Sequence, residues 1–481
     1  RKKSKSHIIM ILDSNSASGG YDIDNSVKTE AANNEYFYRS SPTQGNRQTF
    51  TFSFWHKRTQ ITGYPADPYY IGQGSNGRFH LTGNTHPTIR FMFDGNSTEL
   101  ESSPRLRDTA AWYHIVLAVD TTQATASNRV KLYLNGEQIS WDNSKYPSQN
   151  ATSDWMSTTN MYFNTSANGL NAYDNSGYWA EVCVIDGQQL APTSFGEFDS
   201  DSGIWKPKDV SGLTFGNEGF YLDFEDSSDL GADVSGNNND CTLNNIAAAD
   251  QATDTPTNNF CTLNILDQEF DGTNIVTDGA TNVRIAGSGT GCIRATQAVS
   301  SGKWYWEFKL TPINTSTFYG VWGIYTAETS PPEGYPGATG QTGSWGVYGG
   351  NGEAAGSSGF NTFYTDGFSS GDIIGLAYDV DGGTLKMYKN GTLVGANSGD
   401  IIASSGVSHP AGFTSFLPAF ADGTNSPEPS GLLSRFEVNF GGFTNFSISS
   451  GNSDANGYGN FEYAPPSGYY AICSKNLAEY G

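Results

Sequence analysis

Positive charge is scarce in this sequence: 26 Lys and Arg stand against 49 Asp and Glu, for a formal net charge of -23. A protein that holds DNA or RNA must displace counterions from phosphate with basic side chains, so nucleic-acid binding by the body of the chain is excluded. Long apolar runs are missing as well. The stretch from Ile8 to Leu12 meets Asp13 at once, too short for a signal-peptide core, and no run approaches the length that crosses a bilayer. We therefore expect no membrane insertion and assembly in a reducing compartment. Cysteine is sparse: Cys183, Cys241, Cys261, Cys292 and Cys473 are odd in number, widely spaced and without a CxxC pair. That pattern supports neither a disulfide framework nor a zinc site and points to buried free thiols. The sequons at Asn96 and Asn164 then mean only Asn/Ser-rich loops. The six histidines show no pair at metal spacing and accompany no Gly-x-Ser-x-Gly elbow. Sustained helical periodicity is absent throughout.

What the chain does have is glycine and aromatics. Its 481 residues include 57 Gly, and aromatics reach 13%, with Gly, Asn, Ser and Thr crowding the gaps between short apolar runs. That is the composition of many short strands joined by tight turns, in a chain long enough for two or three domains. The basic cluster Arg1-Lys2-Lys3-Ser4-Lys5 reads as the start of a solvated tail over residues 1–19, with docking on an acidic partner as the alternative.

An internal echo organises the rest. Residues 115–120 read Ile-Val-Leu-Ala-Val-Asp, and residues 374–379 read Ile-Gly-Leu-Ala-Tyr-Asp. After a turn-rich gap come Val130-Lys131-Leu132-Tyr133-Leu134-Asn135-Gly136 and Leu385-Lys386-Met387-Tyr388-Lys389-Asn390-Gly391. Asn-Gly tolerates the two positive φ angles of a type I′ turn, so each copy predicts a tight hairpin, with Lys131 and Lys386 on one face and Leu132 and Met387 on the other.

In the first module, residues 20–210, Phe50-Thr51-Phe52-Ser53-Phe54-Trp55, Trp112-Tyr113-His114 and the strand from Gly177 to Ile185 surround that hairpin. The order resembles the laminin G-like and pentraxin-like branch of the concanavalin A-like lectins. In the second, residues 262–445, Gly302-Lys303-Trp304-Tyr305-Trp306-Glu307-Phe308 begins a series. It continues through Tyr319-Gly320-Val321-Trp322-Gly323-Ile324, Ser344-Trp345-Gly346-Val347, the echo hairpin, Leu417-Pro418-Ala419-Phe420 and Phe436-Glu437-Val438-Asn439-Phe440-Gly441. That set is similar to a SPRY domain. The stretch from Thr326 to Gly359 departs from it in its Gly, Ser and Pro content, so a SPRY ligand preference does not carry over. Together the resemblances imply an all-β chain of two concanavalin A-like antiparallel β-sandwiches (jelly-roll) in tandem. Residues 211–261 read as a connector that donates one or two strands, and residues 446–481 as a C-terminal extended segment.

Catalysis finds little support. A glycosidase needs two carboxylates about 5–9 Å apart across a cleft, and concanavalin A-like glucanases carry them as Glu-x-Asp-x-x-Glu. Glu197-Phe198-Asp199 and Glu269-Phe270-Asp271 come nearest, each without the third acid, so we expect no enzyme. Gly72 to Gly77 matches a dinucleotide fingerprint in letters only, because a strand follows it and no helix N-terminus is there for a pyrophosphate. His114 reads as a packed strand residue, and Trp304 and Trp306 belong to the fold. No cofactor is expected, with calcium the one possibility kept open. Asp379, Asp381, Asp199 and Asp201 are its candidate ligands, and turn formation explains the same residues equally well.

Sugars stack on aromatic faces and hydrogen-bond to amides and carboxylates, so loops at the sandwich ends are the candidate ligand sites. The first module offers Tyr64, Tyr69, Tyr70, Asn76, Arg78, Trp155 and Tyr173. The second offers Tyr335, Trp345, Tyr348, Tyr364 and Asp366. Core or rim packing is the competing explanation for each aromatic. The joining segments Trp205 to Phe224, Thr253 to Asn264 and Ala464 to Gly481, together with the pairing of modules, resemble virion surface proteins of tailed bacteriophages, marine ones especially. That resemblance implies a tail-fibre, spike or head-fibre adhesin assembled in the bacterial cytoplasm, homo-oligomeric, whose partners are a host surface glycan or receptor and other virion proteins. A capsid or tail decoration protein that binds only virion proteins is the alternative, and a polysaccharide hydrolase a distant third.

Overall fold

The alternating apolar runs form two double-sheet sandwiches in the computed structural model. It describes residues 20–481 except 61–66, 83–87, 96, 103–105, 168, 170–172, 269–274, 286–290, 312–319, 330–333, 410 and 423–433. Residues 1–19 with the basic tail, Tyr64, Asn96, Tyr319 and Glu269 to Asp271 thus lie outside the described residues.

In the N-terminal sandwich the first sheet orders Glu137–Ile139, Val130–Leu134, Trp112–Asp120, Thr49–Arg58, Gly177–Asp186, Ser26–Thr29 and Gln251–Ala252, with Phe220–Leu222 also on Gly177–Asp186. The second orders Trp141–Ser144, Glu99–Ser102, Thr88–Met92, Gly77–Thr82, Tyr69–Gln73, Met161–Phe163, Tyr36–Arg39 and Cys241–Asn244. Period-two alternation explains the core: Phe50, Phe52 and Phe54 project inward to meet Phe79, Phe91, Trp155 and Trp179. Each buried phenylalanine contributes roughly 1.5–3 kcal/mol. Trp55 and Lys57, of opposite parity, project to the other side, which is covered too. Trp205, from the small hairpin of Gly196–Phe198 and Trp205–Pro207, packs there with Trp55 and donates its Nε1–H to His114 Nδ1 at 3.0 Å.

The C-terminal sandwich pairs two further sheets. One runs Leu263–Gln268, Cys292–Ala295, Phe416–Asp422, Gly320–Thr326, Ser344–Tyr348, Glu353–Gly356 and Gly359–Thr362. The other runs Ile275–Thr277, Asn282–Ile285, Ser434–Asn439, Lys303–Leu310, Ile373–Asp379, Thr384–Lys389 and Thr392–Leu393. Trp304, Trp306, Phe308, Trp322, Trp345, Phe420 and Phe436 fill the space between them. The two echo hairpins agree down to their hydrogen bonds. Asn135 and Gly136 have φ of 49° and 83°, and Asn390 and Gly391 have 49° and 76°, the two positive angles of a type I′ turn. Asn135 also takes the His114 N–H on its side chain at 2.8 Å, as Asn390 takes the Ile373 N–H at 2.9 Å.

Two expectations change. Residues 211–261 supply three strands, Phe220–Leu222, Cys241–Asn244 and Gln251–Ala252, and these complete both sheets of the first sandwich. The C-terminal segment is not extended throughout: Tyr470–Ala471 runs parallel to Lys303–Leu310, then Ser474–Tyr480 turns helical. Buried carboxylates tie that segment down. Glu307 accepts the N–H groups of Glu462 and Tyr463, each at 2.9 Å, and Asp454 accepts the Ala471 N–H at 2.9 Å.

The sandwiches meet through residues 253–260. Lys57 Nζ reaches Asp254 Oδ2 and Asn259 Oδ1 at 2.7 Å each and the Phe260 carbonyl at 3.0 Å, and Trp112 Nε1 donates to Asp254 Oδ1 at 3.0 Å. Tyr178 donates its hydroxyl proton to the Gly279 carbonyl at 2.8 Å, and Thr253 N–H donates to the Gly442 carbonyl. All five thiols are free and buried.

Candidate functional site on the open face of the N-terminal sandwich

Because the first sheet is covered on both sides, the second sheet carries the sandwich's open face. Its strand Tyr36–Arg39 turns Phe37 into the core, leaving Tyr36 and Tyr38 outside and half-buried. Met161–Phe163 does the same, with Met161 and Phe163 inside and Tyr162 outside. The register sets Tyr162 opposite Tyr38, where the rings stack with centroids 5.0 Å apart, and Tyr36 closes the cluster 6.0 Å from Tyr162. Beside them lies an open groove of about 460 Å³, lined by Ser41, Pro42, Gly74, Thr158, Thr159, Asn160, Tyr162 and Ala167, within the size range of small-ligand sites. Asn160 holds the groove's rim in place: its Oδ1 accepts the Ser41 N–H at 3.0 Å and its Nδ2 donates to the Tyr162 hydroxyl at 3.3 Å. Asp154 fixes the turn below by accepting the Ser75 and Asn76 N–H groups at 3.0 and 3.1 Å.

Further across the face, Tyr69 stacks on His80 with centroids 5.1 Å apart, and half-exposed Tyr173 packs on Tyr69 at 5.3 Å. Burial pushes the His80 imidazole down to about 3, helped by Arg90 and Arg78, so it is neutral. Beyond it, Arg90 pairs with Glu99 at 3.2 Å and with Glu101 at 3.1 Å. Hydrogen bonds from Thr88 and Arg90 outweigh partial burial and hold the Glu101 carboxyl below its usual range. A carboxyl held low in this way makes Glu101 a poor proton donor. Glu197 and Asp199 likewise both face Lys206, at 3.6 and 3.2 Å, on an exposed hairpin.

Residues 31–183 match the family model of the concanavalin A-like lectin/glucanases superfamily, and residues 303–421 match that of the SPRY domain. The chain joins a concanavalin A-like domain to a SPRY domain. Among solved structures it is similar to the SPRY domain of human HERC1, at 18% identity over 36% of this chain and 96% of that one, with a TM-score of 0.28. It is similar also to a candidate carbohydrate-binding protein from Bacteroides ovatus, at 14% identity over 47% of this chain and 60% of that one, with a TM-score of 0.29. Stonustoxin shares 15% identity over 37% of this chain and 27% of its own, with a TM-score of 0.26. No curated protein matches the chain.

Within the concanavalin A-like domain the residues chosen from sequence divide. Asn76, Arg78 and Tyr173 lie on or beside the open face, while Tyr69 is buried between His80 and Tyr173. Tyr70 and Trp155 are core residues, both fully buried: Tyr70 packs on Phe54, Phe79 and Trp179, and Trp155 stacks on Phe91 and donates to the Met92 carbonyl. Neither can stack on a ligand without unpacking the sandwich. In the SPRY domain Trp345 is core as well, donating to the Val407 carbonyl at 3.0 Å. Tyr335 and Tyr348 flank Phe360 at 5.9 and 6.3 Å, and Phe360 is 39% exposed on the edge strand. Tyr364 lies apart, against Phe368 and beneath Lys389, and Asp366 is exposed.

The calcium candidates act as turn acceptors. Asp199 takes the N–H groups of Asp201 and Ser202, and the exposed Asp201 carboxylate accepts the Ser200 hydroxyl. Asp379 takes the Gly382 N–H at 2.7 Å and pairs with Lys303 at 3.0 Å, while Asp381 takes the Gly302 N–H. Among the described residues, no three His, Cys, Asp or Glu side chains gather in a way that could hold a metal ion. The sequence reading missed Tyr36, Tyr38, Thr159, Asn160 and Tyr162. The alternation Tyr36-Phe37-Tyr38 in one strand and Met161-Tyr162-Phe163 in the other was the available signal.

Proposed function

We propose that this chain is a virion surface adhesin of a tailed bacteriophage that binds host cell-surface glycans without cleaving them. The observation that carries the reading is the open groove of hydroxyl and amide side chains beside the Tyr36, Tyr38 and Tyr162 cluster. Sugars ask for that pairing of aromatic surface and neutral hydrogen-bonding groups. Membership of residues 31–183 in a lectin/glucanase superfamily supports it. The phage assignment rests on the joining segments, whose residues 253–260 bind the two domains together. A homo-oligomer assembled in the bacterial cytoplasm would raise the avidity of a shallow site.

The test is adsorption of the purified chain to host cells, alongside a glycan array and isolated virions. Cell binding that Tyr162→Ala weakens is the expected result. Binding to capsids or tails with no cell or glycan binding would replace the adhesin by a decoration protein. Release of reducing ends from host polysaccharide would overturn the non-catalytic assignment.

A further inference from the structure

The groove's electrostatics carry the argument further, resting on the glycan-binding reading above. We propose that the groove selects an uncharged polysaccharide, and that acidic glycans are excluded from it. Among the described residues no lining side chain carries a charge: Ser41, Thr158, Thr159, Asn160 and Tyr162 supply hydroxyl and amide groups, beside Pro42, Gly74 and Ala167. Recognition of a carboxylate, sulfate or phosphate calls for a cation or a convergent set of N–H donors. The neighbouring cations are engaged elsewhere. Arg39, two residues before Ser41, donates to the Ser40 carbonyl at 2.9 Å and to Asn239 Oδ1 at 2.7 Å, with Glu218 3.9 Å away. Arg47 donates through Nε to the Ser153 carbonyl at 2.6 Å.

Arg78 is the one that tests the idea. It is exposed and shares the open face, opposite Gly72, and Gly72 lies opposite Tyr162. Two strand spacings put its backbone roughly 10 Å from that of Tyr162. Between them the chain at Ser166 and Ala167 is packed onto Gly72 so closely that a Cβ there would lie 2.6 Å from the Ala167 nitrogen. This ridge separates Arg78 from the groove. On the groove's other border stands a carboxylate: Asp154 crowds Gly74, where a Cβ would meet its Cγ at 2.5 Å. Around all this lies a chain of net charge -23, whose field repels polyanions over a Debye length.

The test is affinity electrophoresis of the full chain in gels containing neutral polymers (dextran, mannan, laminarin) or acidic ones (alginate, polygalacturonate). The wild type is compared with Tyr162→Ala, Asn160→Ala and Arg78→Ala. We expect retardation by at least one neutral polymer and by neither acidic one, unchanged between about 0.05 and 0.5 M salt. Tyr162→Ala should weaken it about tenfold through loss of one aromatic contact, and Arg78→Ala should leave it unchanged. Salt-sensitive retardation by an acidic polymer that Arg78→Ala removes would overturn neutral selectivity while leaving glycan binding intact. No retardation by either class, from a chain with the wild-type melting curve, would overturn the glycan reading and this inference with it.

Discussion

Replacing Asp254 by Ala should be among the most damaging changes at the joint between the two domains. The side chains of Lys57 and Asp254 are 0% and 1% exposed, 2.7 Å apart. Removing the carboxylate leaves the Lys57 ammonium buried with only the neutral acceptors Asn259 and Phe260, and it orphans the Trp112 Nε1–H. Breaking a buried pair from one side costs about 3–5 kcal/mol, because the uncompensated charge remains. At roughly 2–4 °C per kcal/mol for a domain of this size, the melting temperature should fall by roughly 6–20 °C. Calorimetry reads the loss, and because Asp254 lies where the domains meet, a single transition should split in two. Lys57→Met with Asp254→Leu is the control: removing both charges should recover most of the stability. A melting temperature for Asp254→Ala within about 2 °C of wild type would refute the reasoning.

Other expectations concern turns, protons and thiols. Gly391→Ala forces a left-handed φ on a Cβ-bearing residue and sets that Cβ 2.6 Å from the Tyr463 ring, costing at least about 1–2 kcal/mol in denaturant unfolding. Gly136→Ala should cost more, since its Cβ would fall 2.2 Å from the Trp205 ring. Burial pushes the carboxyls of Glu181 and Glu307 up to about 8 and about 7, against the hydrogen bonds each accepts. A carboxyl raised in the folded state contributes stability below its unfolded value and loses it as pH rises through the folded one. Burial lowers His80 and His114 to about 3, so their contribution is complete above the ordinary histidine range. Melting temperature should therefore fall between about pH 6.5 and 8, and Glu181→Gln should flatten that slope. Ellman's reagent should find no reactive thiol in the native chain and all five after denaturation.

The fold was legible where local chemistry decides it. Asn135-Gly136 and Asn390-Gly391 announce their hairpins because few other dipeptides accept two positive φ angles. The site was less legible because a ring's exposure depends on strand parity and on what covers the sheet. Tyr69, Tyr70 and Ile71 do not alternate: an irregularity in the pairing with Gly77–Thr82 lets both Tyr70 and Ile71 point inward. Trp155 sits in a turn that folds back into the sandwich, so its loop position misleads. The Tyr36, Tyr38 and Tyr162 cluster forms only once distant strands pair, and no local pattern joins them.

The late strands of the first domain govern how it can be made. Ser26–Thr29 completes its pairing with Gln251–Ala252, and Tyr36–Arg39 with Cys241–Asn244, so a ribosome must deliver residue 244 before the second sheet can finish and residue 252 before the first can. Until then the nascent sheets present unpaired edges, the state from which β-rich chains aggregate. Closure over so long a loop makes folding slow compared with local hairpins. A fragment cut at residue 210 would keep the groove's lining yet lack three strands of its scaffold.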